Sequence, residues 1–245
     1  MDYSPSRWAY CLAFTLKLLG NISWDVRGTE QLSREQWYMV MSNHQSWADI
    51  AILYIALRGK IPLLKFFMKR QLLWIPCVGW SCWLLGYPFV YRYTRDFLRK
   101  HPEKKGKDWE NTKKACERLQ WAPVSIINFA EGTRLTPEKH ARQASPYQHL
   151  LAPKAGGTAY TLEAMQHKIQ TLLDITLVYR PGAISFWRLF SGEIKQITVD
   201  VDVLPITDDL VGEYQKDRVF RKHFQAFLNT RWQRKDALID AVKRA

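Results

Sequence analysis

The sequence predicts an α/β fold: a mixed central sheet covered by helices, with an N-terminal helical, membrane-associating appendage. Three observations carry this. Short strand-like runs alternate with helix-compatible ones along most of the chain. Hydrophobic residues make up 47% of 245 positions, enough for a sizeable core in one domain. The early apolar run "WAYCLAFTLKLLG", residues 8–20, contains Lys17 and is shorter than the roughly 20 residues of a spanning helix, so it reads as an interfacial or core helix. Residues 1–23 are expected to form an N-terminal helical segment, assigned here to the interface, and residues 24–245 one domain that includes a C-terminal amphipathic helix.

The elements follow in order. "ISWDVRG" alternates like a strand and turns at Gly28, and "WYMVMS" is a short strand. Residues 47–58, "WADIAILYIALR", are apolar almost all round, as in a well-buried helix. "IPLLKFFMKRQLLWIP" and "VGWSCWLLG" come next, broken by Pro76 and Gly79, and "YPFVYR" reads as a short strand. Residues 95–120 are charged and helix-compatible, interrupted at Pro102 and Gly106. "VSIINF" (124–129) is a strand, "KAGGTAYTLEAMQ" opens a helix, and residues 172–179 and 193–206 are strands. Residues 217–243 form the last helix, with Phe220, Phe224, Leu228, Trp232, Ile239 and Val242 on one face. Arg221, Lys222, Arg231, Arg234, Lys235 and Lys243 crowd its remaining surface. Such a helix can lie on a membrane, but packing against the domain is the simpler use.

Lys and Arg outnumber Asp and Glu by 36 to 23, a formal charge of +13 that favours anionic partners. Eleven tryptophans and eleven tyrosines tilt the choice toward a membrane surface, where both side chains favour the water–lipid boundary. No zinc-finger or RRM signature supports nucleic acid. The four cysteines lack metal spacing and read as free thiols of a reducing compartment. His101, His140, His149, His167 and His223 read as surface or structural, and no metal site is expected.

Residues 43–50, "NHQSWADI", carry the chemistry. A histidine works as a general base near neutral pH if a carboxylate accepts its other ring N–H and stabilises its charged form. On one continuous helix His44 and Asp49 would diverge by about 140°. At a strand–turn–helix boundary the two can meet. Ser46-x-x-Asp49 also fits a helix capping box, which is the ordinary reading of the same residues.

"NHQSWAD" resembles the N-H-x-x-x-x-D signature of the glycerophospholipid acyltransferase family (the lysophosphatidate acyltransferase class). "GYPFVYR" (86–92) resembles its G-x-x-F-x-x-R block, and "FAEGTR" (129–134) its F-P-E-G-T-R block. "KRQL" followed by "PCVG" matches a further pattern at Lys69, Pro76 and Gly79, with Gln71 in place of Glu. The similarity covers roughly residues 24–206. Ala130 departs from the usual proline. "DITLVY" (174–179), where many members have V-P-[IV], and "PKAGG" (153–157) look more like the lysocardiolipin and lysophosphatidylinositol acyltransferase branch and its bacterial relatives. Members commonly begin with a longer hydrophobic region than the one here.

The resemblance implies transfer of an acyl group from acyl-CoA to the free hydroxyl of a lysophospholipid, 1-acyl-sn-glycerol-3-phosphate or a relative, with no cofactor beyond that co-substrate. Acyl carrier protein is the alternative donor. His44 would be the base and Asp49 its orienting partner. Arg92 and Arg134, in the matching blocks, would bind the acceptor phosphate, with Lys69 as a third cation. Glu131 would belong to the acceptor site, and Gly132 would permit a tight turn. Gly156 and Gly157 are better explained by close helix packing than by phosphate binding. The implied location is a membrane surface with the active site facing the cytoplasm, the inner membrane in a bacterium. The competing reading is a non-enzymatic binder of anionic lipid or nucleic acid that uses the basic surface.

Overall fold

The computed structural model describes residues 22–75, 78–90, 95–101, 103, 106–165, 167–182, 188–189 and 191–244. Arg92 and the expected N-terminal helix of residues 8–20 lie outside these residues.

A six-stranded sheet in the order β1-β8-β7-β2-β6-β3 organises the chain. Its strands are β1 (Ser23–Arg27), β2 (Trp37–Ser42), β3 (Leu64–Phe66), β6 (Ser125–Phe129), β7 (Ile169–Arg180) and β8 (Gln196–Pro205). A two-stranded ladder, β4 (Met68–Lys69) with β5 (Phe89–Val90), stands apart. β2 lies between β6 and β7 and is parallel to both, and β3 is parallel to β6. β8 runs antiparallel to β7 and carries β1 parallel at the margin, so the sheet is mixed, as expected.

A central strand buries both faces, which is why "WYMVMS" is apolar without a break. Side chains alternate across it. Tyr38 and Val40 enter one core with Ile52 and Leu53 of α1 (Ala48–Ala56). Met39 and Met41 enter the other. That second layer holds Cys116 of α4 (Lys107–Glu117), Leu162 of α6 (Ala155–Met165), and Phe224, Leu228, Trp232 and Ile239 of α7 (Arg218–Arg244). The remaining helices are α2 (Val78–Leu84), α3 (Arg95–Lys100) and α5 (Pro137–Gln143). α5 starts at Thr136, whose hydroxyl accepts the Lys139 N–H, with Pro137 just inside the helix.

One element was not anticipated and two expectations need correction. β3 was not anticipated: three residues at a sheet margin are too short for a period-two pattern to register. The "YPFVYR" strand is only Phe89–Val90 among the described residues. On α7, Lys235 and Arg231 do not lie on the outer surface. Lys235 is 1% exposed, its Nζ 2.7 Å from Asp174 Oδ1 and bonded to the Ile175 carbonyl. The Arg231 Nε lies 2.7 Å from the other Asp174 oxygen. A charge on a mostly apolar face is affordable only with such a partner, and a helical wheel cannot see a partner on β7.

Gly28 and Gly157 are fixed by contact. Gly28 sits at φ +72°, and a Cβ there would come 1.9 Å from the Val201 carbonyl oxygen. At Gly157 it would come 2.9 Å from the Asn128 amide, so this glycine serves packing, as expected.

Candidate active site

β2, β3, β6 and β7 all point their C-terminal ends to one edge of the sheet. In α/β folds that edge is where ligands bind. His44 follows β2 there, Glu131 follows β6, and Tyr179 is the last residue but one of β7.

Asn43 makes the transition from strand to loop. Its side-chain amide donates to the Leu177 carbonyl at 3.0 Å and accepts the Leu177 N–H at 2.8 Å. The side chain thus continues the β2–β7 pairing after the backbone has turned away. The backbone freed in this way carries His44 out of the sheet.

His44 Nδ1 lies 2.8 Å from Asp49 Oδ2. The same oxygen accepts the Gln45 N–H at 2.6 Å and the Ser46 N–H at 2.9 Å. The other carboxylate oxygen accepts the Tyr179 hydroxyl at 2.6 Å. Asp49 is fully buried, and the His44 side chain remains 14% exposed. The turn solves the divergence expected on a straight helix: His44 and Asp49 meet because residues 43–46 are irregular.

The capping box forms only by half. Asp49 reaches back to the Ser46 N–H, but Ser46 Oγ accepts the Ala48 N–H at 3.2 Å and not the Asp49 N–H, and Trp47, at the helix start, makes no side-chain cap bond. One carboxylate therefore ties the turn before α1 and orients the imidazole. These bonds also occupy the Gln45, Ser46 and Ala48 N–H groups, so a developing oxyanion must find other donors.

The His44 ring stacks on Phe129 with centroids 4.0 Å apart and planes 16° from parallel. Stacking and the Asp49 bond fix the ring plane. With Nδ1–H donated to Asp49, Nε2 is left with a free lone pair.

Glu131 is fully buried. Its two oxygens accept the His44 N–H at 3.1 Å and the Leu151 N–H at 3.2 Å. The Leu135 N–H donates to the His44 carbonyl at 2.8 Å, so both backbone polar groups of His44 are tied to the loop after β6. Glu131 thus lies behind the histidine, against backbone. Burial pushes its carboxyl up to about 8, Asp49 adds to the rise, and the two N–H donors and Lys235 oppose it. Tyr179 is pushed well above the usual phenol range by burial and by Asp49, and so stays a hydroxyl donor.

The turn after β6 needs Gly132, at φ +71°. The Lys139 Nζ braces it through Thr133 Oγ1 at 2.7 Å and the Arg134 carbonyl at 3.0 Å. The exposed Arg134 guanidinium lies over the Trp47 ring at 5.1 Å. Beside the same turn runs Lys154, whose Nζ would be 3.3 Å from a Cβ placed on Gly132. Arg134 and Lys154 thus flank this turn together with Lys139. Lys69 pairs with Val90 in the separate ladder, and its side chain lies outside the described part. Among the described residues no group of three or more His, Cys, Asp or Glu could hold a metal ion.

Asn43, Phe129, Tyr179 and Lys154 were not singled out from the sequence as site residues. All four stand inside quoted stretches: Asn43, Phe129 and Lys154 in motif blocks, and Tyr179 at the end of "DITLVY". Tyr179 is 130 positions from Asp49, and only the pairing of β2 with β7 brings them together.

The raised Glu131 carboxyl has a testable consequence. Its folded value of about 8 exceeds the ordinary 4.5, so between those two pH values the folded chain holds a proton that the unfolded chain has released. This component of stability falls as pH rises through that window. Glu131→Gln removes it, while leaving one backbone N–H facing an amide NH2, so the variant starts less stable. Urea unfolding across pH should show the variant gaining on the wild type from about 4.5 to about 8 and tracking it above. A constant difference would show that Glu131 is ionised throughout.

Comparison with known proteins agrees with this geometry. A family model described as "Acyltransferase" matches residues 23–179. The chain is 26% identical over 226 residues to 1-acyl-sn-glycerol-3-phosphate acyltransferase 3 of Arabidopsis thaliana, covering 84% of this chain and 56% of that protein. It is 32% identical over 120 residues to the human 1-acyl-sn-glycerol-3-phosphate acyltransferase alpha, covering 49% of this chain and 38% of that protein. The chain thus spans little more than half the length of the Arabidopsis relative and less of the human one. The crystal structure of the 1-acyl-sn-glycerophosphate acyltransferase PlsC of Thermotoga maritima shares the fold, with a TM-score of 0.60 at 18% identity over 98% of this chain and 81% of that one. With more than half its length matched by the family model, the chain belongs to the acyltransferase family, in its glycerophospholipid (lysophosphatidate) acyltransferase class.

Proposed function

We propose that the chain transfers a fatty acyl group from acyl-CoA to the free hydroxyl of 1-acyl-sn-glycerol-3-phosphate or a related lysophospholipid. The observation that carries this is the 2.8 Å bond from His44 Nδ1 to a buried Asp49, with the histidine itself part-exposed. The names of the relatives support the substrate class. His44 Nε2 takes the hydroxyl proton as the oxygen attacks the thioester carbonyl carbon. The tetrahedral adduct collapses, the carbon–sulfur bond breaks, and the imidazolium returns its proton to the departing thiolate. Asp49 stabilises the imidazolium in between. No protein nucleophile is needed, and the step balances without a cofactor.

Glu131 acts through His44, by holding its backbone. The acceptor phosphate is read by Arg134, with Lys154 beside the same turn, and Arg92 and Lys69 complete the set by family resemblance. Guanidinium suits this task because it binds phosphate through two parallel donors. Substrates of this kind are taken from a bilayer, so we assign the protein to a membrane surface with the site facing the cytoplasm. Acyl carrier protein is the other donor, and parallel assays with both thioesters separate them. A pure lipid or nucleic-acid binder would have no use for an ordered histidine–carboxylate pair beside an exposed cation.

His44→Ala in the full chain should lower kcat by about 10²–10⁴-fold in a protein that still folds, with a lowered melting temperature from the lost Asp49 bond and Phe129 stack. Asp49→Asn keeps an oxygen for the loop N–H groups, and the Tyr179 hydroxyl can turn to accept from the new amide. It removes the charge that stabilises the imidazolium, so kcat should fall over a similar range of about 10²–10⁴-fold in a folded protein. Near-native turnover in a folded His44→Ala chain removes the mechanism.

Arg134→Ala should lower kcat/KM for the lysophospholipid by about 10- to 100-fold, the span of a charge-assisted contact. KM for acyl-CoA should barely move. If acyl-CoA saturation shifts instead, Arg134 belongs to the donor site.

A further inference from the structure

The excursion between β4 and β5 is the most hydrophobic exposed surface among the described residues. Trp74 is 82% exposed, Trp80 69%, Trp83 63% and Leu84 76%. Trp80 lies three residues before Trp83 and four before Leu84 on α2, so the three share one side of the helix. Side chains of this size left in water in a cluster mark a contact surface.

Charge says what the contact is. From Gln71 to Tyr91 the chain has no charged residue. On either side it is strongly basic: residues 58–107 carry twelve Lys and Arg against Asp96 and Glu103, ten of the thirteen net positive charges of the whole chain. An apolar, tryptophan-rich centre between cationic flanks is what a bilayer with anionic headgroups accepts. The helix spans only Val78–Leu84, far short of the roughly 20 residues that cross a bilayer, so it can only lie in the interface.

Position supports the same reading. The excursion leaves the end of β3, at the sheet edge that carries His44 and Glu131. Its return is pinned there by the Met68 N–H to the Pro88 carbonyl at 2.8 Å and by Tyr87 packed edge-on to Phe66 at 4.9 Å. Trp47, 58% exposed, lies at the same edge, three residues after His44.

We propose that Trp74 and the exposed side of α2 form a bilayer-docking surface that inserts Trp80, Trp83 and Leu84 into the headgroup region of an anionic membrane and turns the His44 edge toward it. The docking stands independently of the catalytic reading. Only its use, delivery of lysophospholipid to His44, rests on that reading.

The test is vesicle co-sedimentation of the full chain, using phosphatidylcholine with and without about one third phosphatidylglycerol. Trp80→Ala/Trp83→Ala should weaken partitioning onto the anionic vesicles by at least about tenfold, given the apolar area of two indoles. Leu84→Asp, a single change at an exposed position, carries the same expectation should the double variant fold poorly. Trp121 is 92% exposed but precedes β6, at the opposite end of that strand, and Trp121→Ala should leave partitioning unchanged. Turnover should fall on vesicle-embedded lysophospholipid and hold on a short-chain soluble acceptor. Binding needs no donor thioester, so a chain that docks but does not turn over sinks the catalytic reading alone. Unaltered partitioning in the variants overturns the docking surface, as does an equal loss on Trp121→Ala. So does conversion from dimer to monomer in vesicle-free buffer, which would make the patch a contact between two copies.

Discussion

Everything at the active edge depends on one buried carboxylate. Asp49 is cut off from water and accepts four hydrogen bonds: from the His44 ring, from the Gln45 and Ser46 N–H groups, and from the Tyr179 hydroxyl. A buried charge is tolerable only when it is satisfied this fully. In satisfying it, the chain commits the loop after β2, the first turn of α1 and the end of β7 to one arrangement. Of the alternatives posed by the sequence, the histidine–carboxylate pair forms in full and the capping box only by half, in the bond from the Ser46 N–H to Asp49. The turn that leads into the helix is the turn that aims the imidazole.

A second carboxylate works on the opposite side of the histidine. Glu131 holds the His44 N–H and the Leu151 N–H, so the catalytic loop is tied to the turn after β6 and to the segment leading into α6. Behind this lies a buried charge pair, Lys235 with Asp174, joined by Arg231. Lys235 is close enough to draw the Glu131 carboxyl down, while Asp49 pushes it up. The C-terminal helix is thus more than a cover for the sheet. Its cation sits in the same electrostatic field as the site.

Much of this was legible from residues alone, for identifiable reasons. β2 and β6 announced themselves because a strand buried on both faces is apolar along most of its length, and the polar blocks that follow them carry the chemistry. His44 and Asp49 could be paired because the strand–turn–helix boundary lies within a few residues. Tyr179 could not, since a phenol in an apolar strand looks like core until β7 is set beside β2. Lys235 was misread because amphipathic periodicity counts every lysine as solvent-facing, and its partner Asp174 is in another element. β3 was too short for any period. Glu131 was found by its motif, but its attachment to backbone rather than to the open side of the site needed the fold. The exposed tryptophans of α2 were visible as letters, yet nothing in their spacing said that they were uncovered.

The central claim is that Asp49 fixes the protonation pattern of His44, leaving Nε2 free to take a proton. Nitrogen-15 NMR of the histidine-labelled full chain, with the ring neutral, reads this directly. The account predicts that the neutral His44 ring carries its proton on Nδ1, donated to Asp49, with Nε2 showing the shift of an unprotonated nitrogen. A proton found on Nε2, with Nδ1 bare, would contradict it, because the nitrogen turned toward the substrate would then be a donor and could not act as the base.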